Sequence, residues 1–394
     1  MAVSHDYFAR LFRVTVETTL TGEVKHTMSL DSASAKAGTD ITPNAAKDIA
    51  ADRCDATGSA TMTSIDRRSL LIGSGVVAAG VATATLVRRS LLPRETAFIA
   101  RNQRYEGDLR RVIRDGLQSV GFPLASLRGK RVLLKPNLVE PNRESPHMTT
   151  HPAMIVAAAE VFRSAGAEVT VGEAPGHVRD TEMALVESGV REALDDAKLD
   201  FADLNYDDVV SVANQGRASK LKRLWFPRHV TEADLVVSMP KMKTHHWVGV
   251  TAAMKNLYGT LPGIKYGWPK NVLHYHGIPQ TVFDINASLP KSIAIVDAIE
   301  CMEGDGPIMG TMKPMGLVLV GTNLAAVDAT ICRLMDIIPE RVEYLALAAD
   351  RLGPLDESRI EQRGEHWQSL SQSFHILDRP HLSRLRENSP TLAT

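Results

Sequence analysis

The side chains able to do chemistry gather at the ends of short apolar runs. Lys241, Lys243, His245 and His246 follow the run Leu235–Met239, and the small residues Gly249–Ala253 then lead into Lys255 and Asn256. Amines of this kind hold anions, and imidazole titrates near neutral pH, so it can give and take protons. Small residues let the backbone approach a ligand closely. A helix over 249–259 would add free N–H groups and partial positive charge at its start. Lys243, His245 and Lys255 are therefore expected to meet a ligand, while Lys241 alone reads as a solvated lysine. The plain alternative is that the lysines are all solvated and the histidines are satisfied loop residues.

Other runs end in similar company. Lys135-Pro136-Asn137 closes one, Thr149-Thr150-His151-Pro152 opens a helix, Gly172-Glu173-Ala174-Pro175-Gly176 closes another, and Asp297 leads towards Gly304-Asp305-Gly306-Pro307. The candidate roles follow from residue type. His245 and His151 would move protons, with Lys255 beside them in the catalytic group. Lys135, Asn137, Lys243, Asn256 and Asp305 would bind substrate or cofactor. For Asp305, ordinary turn chemistry is an equal reading. His274-Tyr275-His276 would point both imidazoles to one side if extended, and with His245 they could form a three-nitrogen metal site.

The elements that must position these groups alternate. Strands are expected at 96–101, 131–135, 168–172, 233–239, 292–299 and 316–321, and helices at 107–120, 153–165 and 181–197. Asn323 is placed to cap a further helix through Met335. Continuous apolar strands separated by helices predict an α/β fold, a mainly parallel sheet with helices on both faces. In such sheets ligands bind beyond the carboxyl ends of the strands, where the residues above lie. The α/β domain is expected over 93–355, as one body or two lobes with the site near 240–280, and 356–394 as a C-terminal tail on the surface.

The chain has 394 residues and a net charge of −1, with 5% aromatic residues. Neither figure favours a nucleic-acid partner. Cys54, Cys301 and Cys332 form no C-x-x-C pair, so no iron–sulfur cluster or four-thiolate zinc site is expected from this chain alone. Cys301 and Cys332 could pair as a disulfide or remain free thiols. The sequence holds no phosphate-binding G-x-x-x-x-G-K-[ST] loop, G-x-S-x-G elbow or H-E-x-x-H helix.

Ser64-Ile65-Asp66-Arg67-Arg68-Ser69-Leu70-Leu71 precedes 18 mostly small apolar residues, Leu70–Val87, closed by Arg88-Arg89. This resembles a twin-arginine export signal over 62–92, with Ala82-Thr83-Ala84 as a small-x-small cleavage site. The resemblance implies the twin-arginine translocation machinery as a partner. It places the protein in the periplasm or cell envelope, soluble after cleavage or anchored by an uncleaved segment. Residues 1–61 read as a disordered leader, and translation is expected to start near Met62. N-terminal sequencing of the expressed protein checks this: any residue ahead of Met62 rejects the inferred start.

The motifs Lys135-Pro136-Asn137-Leu138, Thr150-His151-Pro152, Gly172-Glu173-Ala174-Pro175-Gly176, Lys241-Met242-Lys243-Thr244-His245, Lys255-Asn256-Leu257-Tyr258-Gly259 and Gly304-Asp305-Gly306-Pro307 together resemble the DUF 362 family over about residues 96–345. The ferredoxin-like cluster domain of some members has no counterpart here. His245, Gly249, Lys255 and Leu261-Pro262-Gly263 are also similar to a pattern in nickel-pincer lactate racemases, although Ala252-Ala253-Met254 replaces the Gly-Gly-Arg of that family. That resemblance implies Lys255 as the anchor of a Lys-linked cofactor, His245 as a proton-transfer or substrate-binding group, and His274 or His276 as a metal ligand. The expected function is an exported enzyme doing acid/base, isomerase- or racemase-like chemistry on a small anionic substrate. The competing readings are a non-catalytic anion- or metal-binding protein and a purely structural or interaction domain.

Overall fold

A computed structural model describes residues 94–177 and 179–386. The leader, the twin-arginine segment and the last residues of the tail lie outside these. The strands are β1 (Glu95–Ala100), β2 (Arg131–Lys135), β3 (Glu168–Glu173), β4 (Asp200–Asp203), β5 (Val209–Ala213), β6 (Arg223–Pro227), β7 (Leu235–Ser238), β8 (Lys241–His245), β9 (Gly249–Thr251), β10 (Ser292–Glu303), β11 (Thr311–Gly321) and β12 (Ile360–Gly364). Ten of them form one sheet in the order β12-β1-β11-β10-β7-β2-β3-β4, with β8 on β10 and β9 on β8, while β5 and β6 make a separate hairpin. The run β10-β7-β2-β3-β4 is parallel throughout, whereas β11 runs antiparallel to both β1 and β10.

Period-two alternation along each strand sends side chains to opposite faces. Val132 and Leu134 pack with the helices Leu109–Ser119 and Pro152–Ser164. Leu133 and Val236 pack on the other face with Val282, Phe283 and Ile285 of the helix Ile278–Ser288 and with the helix Leu324–Leu334. The chain is thus the expected α/β fold, a mainly parallel sheet covered on both faces. Asn323 caps its helix by accepting the Ala326 N–H at 3.0 Å.

Four local readings change. The helix expected over 181–197 is two helices, Thr181–Glu187 and Val190–Ala197, because Gly189 between them takes a φ of 73°. Residues 241–245 form a strand rather than a loop. β7 pairs with the start of β10 (Ala294 beside Ser238), and β8 takes up pairing farther along it, with Asp297 beside Lys241 and Met302 beside Lys243. This buries Lys241 and Lys243 completely, so Lys241 is no solvated lysine. Residues 249–259 begin as strand β9, and the only α-helical turn there is Ala253–Asn256. Finally, 360–364 adds an edge strand parallel to β1, so the C-terminal segment contributes to the sheet as well as covering it. Cys301 and Cys332 are both free and buried.

Candidate functional site

Three strand ends build the site. Lys135 at the end of β2 and Glu173 at the end of β3 are neighbours in a parallel sheet, and both are buried. Lys135 Nζ donates to Glu173 Oε2 at 2.5 Å, to Pro136 O at 2.7 Å and to Asn256 Oδ1 at 3.2 Å. Glu173 also accepts the N–H groups of Leu138 and Ala174. Burial pushes the carboxyl of Glu173 up and the amine of Lys135 down, and their pairing opposes both shifts. Gly259 closes over the pair: a Cβ there would lie 2.3 Å from Glu173 Oε1 and 2.6 Å from Lys135 Nζ.

The predicted binding residues divide on inspection. Lys243 Nζ donates to three neutral oxygens, Asn137 Oδ1, Met148 O and Pro307 O, at 2.7, 2.8 and 3.2 Å. Burial, then Lys241, Lys255 and Lys135, hold its amine well below the ordinary lysine range. Asn256 donates to Lys135 O and Ser238 Oγ. Asn137 and Asn256 therefore support the lysines directly. Asp305 Oδ1 lies 3.1 Å from His246 Nδ1.

Lys255 differs from the other lysines. It is partly exposed, and its close partner among the described residues is the face of Tyr258, 4.3 Å from Nζ. Burial first, and then the charge of Lys135, bring its amine down to about 8. The turn that carries it, Ala253–Asn256, is held from below. Asp328, fully buried in the helix Leu324–Leu334, accepts the N–H groups of Ala253 and Met254 at 2.7 and 3.0 Å. The helix start expected to receive an anion is thus already occupied by a carboxylate.

Three imidazoles, His245, His274 and His177, feel the charge of Lys255. His245 is buried, and its Nδ1 accepts the Trp247 N–H at 3.1 Å, which leaves the proton on Nε2. Burial, then Lys255, His246, Lys243 and His274, push it well below the ordinary histidine value. His274 stacks on Tyr258 at 5.9 Å and meets Trp247 edge-on at 5.3 Å. Burial, then Lys255 and His177, bring it down to about 4. His274 and His276 lie on and just after the helix Asn271–Tyr275, so they are not extended and do not share a side. Among the described residues no group of three His, Cys, Asp or Glu side chains is placed to hold a metal ion.

The family model described as Domain of unknown function (DUF362) matches residues 132–333. The chain belongs to this family. Among similar proteins, the thylakoid-associated protein sll1697 of Synechocystis sp. is 28% identical over 265 residues, covering 66% of this chain and 80% of that protein. Among solved structures, the lactate racemase apoprotein from Thermoanaerobacterium thermosaccharolyticum shares 15% identity at a TM-score of 0.37, over 60% of this chain and 55% of that one. This chain therefore spans little more than half of that racemase, and so slight a likeness says nothing of activity.

The matched range of this DUF362 chain also holds side chains that sequence reasoning passed over. Lys270 is buried and donates to Asn205 Oδ1 at 3.0 Å; burial, opposed by Glu173 and reinforced by Lys135, brings it down to about 7. Nothing in its loop marks it out. Glu173 lay inside a noted motif, as the one charge ending a buried strand. Asp328 left a signal too, a carboxylate on the apolar side of a helix among Ala325, Ala326 and Ala329.

His151 belongs to an adjoining group. Its ring stacks on Tyr105 at 3.7 Å, and its Nδ1 accepts the Ala153 N–H to cap the helix Pro152–Ser164. The Tyr105 hydroxyl donates to Asp297 at 3.0 Å and accepts from Lys241, which also pairs with Asp297 at 2.7 Å. His151 is therefore not brought against His245 or Lys255. Lys243 lies between the two groups, close enough to feel both Lys241 and Lys255.

Proposed function

We propose that this DUF362 protein binds a small anion at Lys255 and carries out acid/base chemistry on it with His245 and His274. The observation that supports this most is the charge balance. Lys135, Lys243 and Lys270 all feel the one buried carboxylate Glu173, with only the half-buried Asp203 added at Lys270, while Lys255 feels the charge of Lys135 and its amine has no hydrogen-bond acceptor among the described residues. An entering anion would supply the missing negative charge. It would also raise the depressed values of Lys255, His245 and His274, readying the imidazoles to take up protons as substrate arrives.

The test is titration with acetate and inorganic phosphate, read by tryptophan fluorescence, since Trp247 is 54% exposed and touches His274. The ammonium form of Lys255 binds the anion. Affinity is therefore expected to hold below about pH 8 and to fall as pH rises through about 8, by up to about tenfold per pH unit. Binding that stays level from pH 7 to 9, or no binding at all, rejects the site. A non-catalytic anion-binding protein would show the same titration without turnover of any bound substrate.

Location follows the same order of support. No helix among the described residues is long and apolar enough to cross a membrane. Export through Arg67-Arg68 and the apolar run behind them remains part of this proposal. A relative named for its association with thylakoids is compatible with work at or beyond a membrane.

A further inference from the structure

The anion reading leaves the substrate's reactive group open, and Lys255 bears on it. Of the four lysines, three are closed to chemistry. Lys135 and Lys243 are 1% and 0% exposed, and each donates to three oxygens. Lys270 is 2% exposed and held by Asn205. Lys255 is partly exposed and, among the described residues, has no oxygen to donate to and meets the face of Tyr258. A lysine meant simply to carry positive charge would be expected to keep its ammonium hydrated or paired. This one is set among neutral rings with another cation nearby, the surroundings that release a lysine's lone pair. Burial and Lys135 bring its amine to about 8. At pH 7.5 its free-base fraction is then on the order of 100-fold above that of an ordinary surface lysine.

We infer that Lys255 captures a carbonyl, and that the substrate class is a small anion bearing an aldehyde or ketone, such as a 2-oxo acid, held as an imine on Nζ. This rests on the anion-site reading above. The Nζ lone pair forms the C–N bond, and the carbonyl oxygen takes the displaced electron pair. One Nζ proton passes to that oxygen, and a second proton reaches it from solvent, relayed through a neutral imidazole that gives one proton and takes one back. The C–O bond then breaks, water leaves, and nitrogen keeps the positive charge as an iminium. No electrons are gained or lost. His245 and His274, which feel the charge of Lys255 and whose outer ring nitrogens have no hydrogen-bond partner among the described residues, are the groups to carry those protons. The iminium would then acidify the adjacent C–H for the acid/base chemistry already proposed.

The full chain is incubated with pyruvate and sodium cyanoborohydride, digested, and mapped by mass spectrometry. One reduced adduct is expected, on Lys255, at roughly tenfold or more over any other lysine, and suppressed by excess acetate. Its rate should rise as pH passes through about 8, opposite to the anion affinity. Lys255→Arg should lose the adduct and, with a guanidinium that does not titrate in this range in place of the amine, should also lose the fall in acetate affinity between pH 7 and 9. Adducts spread evenly over exposed lysines, or an adduct on another lysine, overturn the inference. Absence of any adduct while wild-type protein still binds acetate overturns carbonyl capture and leaves the anion site standing. Loss of both rejects both.

Discussion

Glu173→Ala is expected to be among the most destabilising single substitutions in the site. It leaves Lys135, 1% exposed, without its carboxylate, and breaking a buried pair from one side costs about 3–5 kcal/mol. For a domain of this size the melting temperature should fall by roughly 5–8 °C. The cost comes from the stranded ammonium more than from any large value of the pair itself. The double variant Lys135→Met, Glu173→Leu should recover part of the loss, because it removes the stranded ammonium, while the Leu138 N–H and the Asn256 Oδ1 still lose their partners. Thermal melts of the single and double variants decide it. A single variant that melts with the wild type, or a double variant no better than the single, would show that burial of this pair does not work as described. Gly259 adds a steric reason for keeping the double change small, since its backbone already lies against both side chains.

The second large effect concerns Asp328 and has a pH signature. Its carboxyl is fully buried and accepts the Ala253 and Met254 N–H groups. Burial raises it to about 7, with the two N–H groups opposing. The unfolded chain loses that proton near pH 4 and the folded chain only near pH 7. Between these values the folded state binds more protons, so stability is fullest below about pH 4 and falls as pH climbs through about 7. The span corresponds to on the order of 4 kcal/mol. Asp328→Asn should remove this part of the pH dependence, so its urea midpoint should change less than the wild type's between pH 5 and 8. Parallel curves would contradict it. Asp328→Ala should go further, because two buried N–H groups lose their acceptor at about 1–3 kcal/mol each. Since those groups begin the turn that carries Lys255, acetate affinity should fall with it.

Much of this architecture could be read in the chain. Leu133, Val171 and Val236 sit in short apolar runs, and a run apolar on both alternations must be buried on both faces. The helix periods at Leu109–Leu117 and Ala153–Phe162 say what covers one of those faces. Burial of this kind is a local property, repeated at every residue, so sequence alone determined the α/β class, the parallel core and the edge on which polar groups collect. It also marked Lys135, Lys243, His245 and Lys255 as residues of that edge.

Which of those groups meet was decided by the tertiary structure. Lys135 pairs with Glu173 because β2 and β3 are neighbours, a matter of strand order across many residues. Lys241 and Lys243 are buried because β8 pairs along β10 past β7, while Pro240 at the end of an apolar run reads only as a stop. His151 was drawn away from His245 by Tyr105 and Asp297, which lie 192 residues apart. The expected anion site at a helix start was filled by Asp328, from a helix some 75 residues on. Charge compensation in a buried site depends on distance in space, and sequence spacing encodes that distance only within one helix or strand. The chain by itself therefore determined what the elements are and which edge is polar. Only the packing of distant strands and helices decided which lysines are paired with buried oxygens and which one, Lys255, meets only a ring face among the described residues.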